Sequence, residues 1–108
     1  MEAYKLLIHA PDTLVLVAER AGGEIVGYLL ASTHVTFLAN GPVGWVEELM
    51  VDQEARGSGV GRALMESAEQ WAQDAGAAYL SLATRRAPAF YAALDYDESA
   101  VFFKKTFV

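Results

Sequence analysis

Gly57, Gly59 and Gly61 stand at alternate positions in VDQEARGSGVGRALMESAEQW, residues 51–71, after an apolar run and at the start of a helical pattern. Glycine at a strand-to-helix junction permits backbone angles closed to other residues and lets backbone N–H groups come close to a ligand. The first N–H groups of a helix have no intrahelical acceptor and lie at the positive end of its dipole. Such a terminus holds phosphate, and Arg56 and Arg62 add positive charge at its edge. The stretch therefore reads as a cradle for a pyrophosphate.

Spacing separates one cradle from another. A Walker A loop ends in Gly-Lys-Ser/Thr, whereas Gly61 is followed by Arg62 and Ala63. A G-x-G-x-x-G fingerprint would need glycine at 62 or 64, which are Arg62 and Leu64. A nucleophile elbow around Ser58 would need glycines where Arg56 and Val60 stand. The chain has no cysteine, so disulfides, thiolate metal ligands and a cysteine nucleophile are excluded. His9 and His34 are far apart with no third histidine, and no metal site is expected.

The elements that must position the cradle follow from periodicity. Residues 1–11 read as a short helix-like or coil segment ending at Pro11. TLVLVAE (13–19), IVGYLLASTHVTFLA (25–39) and VGWVEELMVD (43–52) read as strands, joined by turns at RAGGE (20–24) and NGP (40–42). Together they make an antiparallel meander. From Gly61 to Ala75, Leu64, Ala68, Trp71, Ala72 and Ala75 recur at helical spacing, and Gly76 suits the C-terminal cap. AAYLSLAT (77–84) reads as a strand parallel to its predecessor, because a strand–helix–strand unit crosses over. Pro88 opens a short helix to about Leu94. SAVFFKKTFV (99–108) reads as a closing strand in which Phe102, Phe103 and Phe107 pack. The fold class is α/β (α+β): one domain, residues 1–108, with a mixed sheet.

A chain of 108 residues that is 54% hydrophobic and 20% charged can build one real core. Its net charge of −6 argues against nucleic acid and suits cationic substrates. No apolar run is long enough to span a membrane and no secretory signal is evident, so a cytoplasmic location is expected.

What does match is R-x-x-G-x-G, as Arg56-Gly57-Ser58-Gly59-Val60-Gly61. This resembles the acyl-CoA-binding motif of the GNAT superfamily of N-acetyltransferases. VEELMVDQEARGSGVGRALM is similar to that family's strand–loop–helix core, and AFYAALDY (89–96) to its "FY..LGY" segment. The resemblance implies acetyl-CoA as cosubstrate. Leu49, Met50 and Val51 would pair with the pantetheine arm, and Gly57, Ser58, Gly59, Val60, Gly61 and Arg62 would face the pyrophosphate. Thr84 to Ala87 would lie along the coenzyme, with Thr84 standing where many members carry asparagine. Tyr91 matches a tyrosine near the coenzyme sulfur, where a phenol can protonate or hydrogen-bond the departing thiolate. Glu47 or Glu48 would take the proton of the attacking amine. Strand alternation puts these two on opposite faces, and Glu47 is preferred because it shares a face with Leu49 and Val51. Asp95 replaces the usual glycine after Leu94, at a turn that aspartate tolerates.

The resemblance thus implies direct transfer of an acetyl group to a primary amine of a small molecule or protein. An acyl-CoA-binding module without catalysis, serving as a sensor or assembly unit, is the alternative. Members usually begin with a strand and two helices that wall the acceptor site, of which most is missing here. That implies an open acceptor cleft, a wall donated by a second copy of the chain, or a partner protein, and a homodimer is the expectation chosen because an exposed sheet edge is a liability for a monomer.

Overall fold

The computed structural model describes residues 4–10 and 12–108, with side chains from residue 12 onward. Met1 to Ala3 and Pro11, parts of the segment read as helix-like or coil, lie outside the described residues. The rest of that segment is strand β1 (Tyr4–Ala10), followed by β2 (Thr13–Glu19), β3 (Ile25–Thr36) and β4 (Gly41–Val51). A short 3₁₀ turn (Gln53–Ala55) leads to helix α1 (Val60–Asp74), then β5 (Leu80–Leu82) and helix α2 (Pro88–Ala93). The five strands form one mixed sheet in the order β1-β2-β3-β4-β5, with β5 alone parallel to its neighbour. The expected meander is present, and β1 extends it by one strand.

Helix α1 packs on one face of this sheet. Leu64, Met65 and Ala68 are fully buried against Leu29 and Ala31 of β3, Val46 of β4 and Leu16 of β2. The helix ends as its sequence requires: Gly76 takes φ +79°, its N–H donates to the Gln73 carbonyl, and the Ala77 N–H donates to that of Ala72. Those bonds satisfy carbonyls that the helix end would otherwise orphan.

Four expectations change, the first being that the strand read over 77–84 is reduced to Leu80–Leu82. The segment 4–10 pairs with β2 as a hairpin partner although YKLLIHA has no clean polar–apolar alternation. The turn after β3 falls at residues 37–40, with Asn40 at φ +55°, so Gly41 and Pro42 already belong to β4. Residues 97–108 form no strand, and Phe102, Phe103 and Phe107 are exposed instead of packed. That segment has strand-like composition but no paired neighbour among the described residues, and a strand is stable only when its ladder is bonded.

Two irregularities shape the β4–β5 side of the sheet. The β3–β4 ladder pairs Leu30 with Glu48 but Ala31 with Val46, so Glu47 is a bulge residue with no partner. Strand β5 pairs with β4 only over Gly44–Val46, and from Glu48 to Val51 β4 is paired on its β3 side only. Gly44 lets β5 pack closely at that pairing: a Cβ there would stand 2.8 Å from Leu80 Cδ1, and the leucine side chain would have to shift.

Candidate active site

Where β4 and β5 part company, a cleft of about 330 Å³ opens between them. One wall is Glu47, Glu48, Leu49 and Met50 of β4, with Tyr28 beside them. The other is the run from Leu82 to Arg86 after β5, and Tyr91 of α2 also lines the space. The splay arises because a parallel pairing of three residues cannot hold β4 and β5 together further along.

The bulge corrects the alternation argument for the two glutamates. With Glu47 extruded from the ladder, both Glu47 and Glu48 reach the cleft, and Glu47 does not simply share a face with Leu49 and Val51. The Tyr28 hydroxyl donates to Glu48 Oε1 at 2.8 Å. That bond, with the nearby carboxylate charge, raises the phenol's pKa above its ordinary value. Glu47 has no hydrogen-bond or ion-pair partner among the described residues.

Tyr91 sits edge-on between two other rings, 4.9 Å from Phe90 and 6.0 Å from Tyr96. Burial raises its pKa above the ordinary value, so the phenol keeps its proton at neutral pH. The helix carrying it is fixed at both ends. Thr84 Oγ1 accepts from the Ala87 N–H at 3.2 Å in the turn before α2. Beyond it, Asp95 adopts φ +70° and the Tyr96 hydroxyl donates to Glu69 Oε2 of α1 at 2.7 Å.

The glycine loop lies past the end of β4. Gly57 and Gly59 have φ of +82° and +92°, and a Cβ on either would meet nothing within 4 Å. The space over both is open. Ser58 Oγ donates to the Ala55 carbonyl, and Arg56 Nε donates to the Val51 carbonyl at 3.2 Å, which ties the loop to the strand. The first intrahelical bond of α1 runs from Ala63 to Gly59, so the N–H groups of Val60, Gly61 and Arg62 are free to meet a ligand. No acidic residue stands in that first turn. The third glycine has another task. A Cβ on Gly61 would be 3.1 Å from Phe90 Cζ, so its absence lets α2 close on α1.

Of the residues expected from sequence, the cleft brings together Glu47, Glu48, Leu49, Met50, Thr84 and Tyr91. Val51, Ala87 and the loop from Arg56 to Arg62 lie outside its lining. Val60 turns its side chain into the core, which leaves only its backbone for a ligand. Tyr28, Arg85 and Arg86 also line the cleft, and no sequence motif named them individually. The arginines fall inside the stretch 84–87 expected along the coenzyme. Tyr28 carries no local signal, because the β3–β4 register alone brings it there.

Residues 1–96 match the Acetyltransferase (GNAT) family. The chain belongs to the GNAT acetyltransferase family. This GNAT domain is 35% identical, over 92 aligned positions, to an aminoglycoside N(6')-acetyltransferase type 1 of Stenotrophomonas maltophilia. That alignment covers 79% of the chain and only 60% of the relative. Among solved structures, glucosamine-6-phosphate N-acetyltransferase from Arabidopsis thaliana superposes with a TM-score of 0.86 at 22% identity, over 92% of this chain and 69% of that one. A transcriptional regulator from Bacillus halodurans C-125 gives 0.83 at 28% identity, over 89% and 67%. The expected fold is therefore the fold of this GNAT domain.

Proposed function

We propose that the protein transfers the acetyl group of acetyl-CoA directly to a primary amine, in the cytoplasm. The observation that carries this reading is the combination of an open cleft at the β4–β5 splay, lined by Tyr91, with an open glycine loop and free N–H groups at the start of α1, against which Phe90 of the same helix as Tyr91 packs. An extended thioester with a diphosphate at its far end fits that combination. Gly57 to Arg62 would receive the pyrophosphate, and Leu49 to Val51 would run beside the pantetheine arm.

In direct transfer the amine nitrogen bonds to the thioester carbon, the C–S bond breaks, the thiolate leaves and the ammonium loses a proton. Tyr91 would donate a hydrogen bond to the developing thiolate. Full proton transfer from a phenol above ~10 to an alkyl thiolate near ~8.5 would run uphill, so the tyrosine stabilises charge more than it supplies a proton. Glu47, free of other partners, would accept the amine proton directly or through a water. Glu48, held by Tyr28, would form an anionic wall for the cationic acceptor. The name of the Stenotrophomonas relative makes aminoglycosides the first acceptors to try.

Calorimetric titration with acetyl-CoA tests the coenzyme site. Micromolar binding is expected to the parent, a modest loss in Gly59→Ala and at least a further tenfold loss in Gly59→Glu. The alanine isolates the backbone strain of φ +92°, and the glutamate adds charge repulsion. No binding to the parent would sink the proposal. Binding without turnover on any amine would leave an acyl-CoA-binding module.

A further inference from the structure

We propose that the cleft selects an acceptor that carries an anion, a carboxylate or a phosphate, on the same small molecule as its amine, and that Arg85 and Arg86 receive that anion. This deepens the acetyl-transfer reading and rests on the cleft being the acceptor site. The cleft has walls of opposite charge: Glu47 and Glu48 on β4, Arg85 and Arg86 on the run after β5. No ion pair joins the two walls, and neither guanidinium has a hydrogen-bond or ion-pair partner among the described residues. In a chain with 14 acidic and 8 basic residues, two adjacent arginines that line a cleft unmatched are poised for an anion from outside.

A defined turn places them. β5 stops at Leu82, and the Thr84 hydroxyl oxygen then accepts from the Ala87 N–H at 3.2 Å. Arg85 and Arg86 are the two residues inside that turn, on the wall that faces the glutamates. A planar guanidinium offers paired N–H bonds to a carboxylate or phosphate, a match that a point-charge ammonium lacks. An amine held at Glu47 and Glu48 satisfies both walls only when the anion is on the same molecule. A simple alkylamine leaves the arginines unmatched. The acceptor supplies this anion, because Arg56, Arg62 and the glycine loop, which receive the pyrophosphate in the acetyl-transfer reading, lie outside the lining of the cleft. The coenzyme's remaining phosphate is on the adenosine side of that pyrophosphate, further still from the thioester.

Steady-state transfer to matched acceptors is the test: ω-amino carboxylates of increasing length, each against the alkylamine without the carboxylate, and phosphoethanolamine against ethanolamine. The parent should prefer the anionic member of at least one pair by about tenfold or more in kcat/KM, carried by KM. Arg85→Gln/Arg86→Gln should abolish that preference, and Arg85→Glu/Arg86→Glu should reverse it toward diamines. Both sites are exposed, and far-UV circular dichroism checks that the fold is kept. A parent that turns over amines with no preference for any anionic member overturns the inference. So does a loss in the glutamine variant that falls on KM for acetyl-CoA and is absent with acetyl-dephospho-CoA, which assigns the arginines to the coenzyme. Saturation-transfer NMR on the same pairs reads occupancy without turnover. Greater occupancy by the anionic members, lost in the glutamine variant, supports the inference even if no amine is acetylated and the acetyl-transfer reading falls. Equal occupancy within every pair overturns it.

Discussion

Tyr91 lines the cleft and is the residue to which the proposed function gives the leaving thiolate. Its ring is held by Phe90 and Tyr96, so its hydroxyl is aimed by packing and not by a hydrogen-bonded partner. Tyr91→Phe should lower kcat by roughly 100-fold, the lower end of what positioned acid–base groups contribute, with little change in KM for acetyl-CoA. Burial penalises the phenolate and raises the pKa, so the active, protonated form persists up to and beyond pH ~10. The pH–rate profile of the parent should then carry no falling limb from this group below pH ~10. A limb near pH 8 or 9 that vanishes in Tyr91→Phe would contradict the role. The glycine motif was legible at this scale because only glycine occupies φ near +80° to +90° without strain, and Gly57 and Gly59 do so. Tyr28 was not legible. Its meeting with Glu48 joins residues 20 apart through a ladder with a bulge, and no local spacing encodes that.

At the scale of elements, α2 is a six-residue helix with no buried residue of its own. It is held in place through Gly61 against Phe90 and through the bond from Tyr96 to Glu69. Tyr96→Phe should cost about 1 kcal/mol at neutral pH, the net worth of one such bond, measured by urea unfolding. Burial first, then the bond to Glu69, raises the Tyr96 pKa in the folded state. A raised pKa gives stability that is complete below the unfolded value of ~10 and is lost as pH rises toward the folded one. The parent should therefore weaken above pH ~10, and Tyr96→Phe should weaken less steeply over the same range. Helix α1 was readable in advance to within a residue at either end, since its apolar period and Gly76 are local features. Strand β1 was not, because its pairing with β2 is what makes it a strand.

For the whole molecule, the balance of 14 acidic against 8 basic residues sets the field that a substrate meets. A polycationic acceptor should be drawn toward Glu47 and Glu48, and salt screens such attraction. The kcat/KM for a polyamine should thus fall severalfold between about 10 and 200 mM salt, while a neutral acceptor changes little. An equal response from both would remove the electrostatic argument. Within the described residues, no helix is long and apolar enough to cross a membrane.

The sequence by itself determined the local devices: the glycine loop at a helix start, the meander, the amphipathic helix and the tyrosine of α2. Each rests on backbone angles or periodicity within a few residues, which chain-local physics specifies. Only the tertiary structure decided the rest. The bulge that brings both glutamates to the cleft and the splay that opens it come from how strands register against one another. The closing segment 99–108 makes the same point in reverse. Its composition is that of a strand, but a strand exists only where another backbone completes its hydrogen bonds, and its own chain supplies none among the described residues.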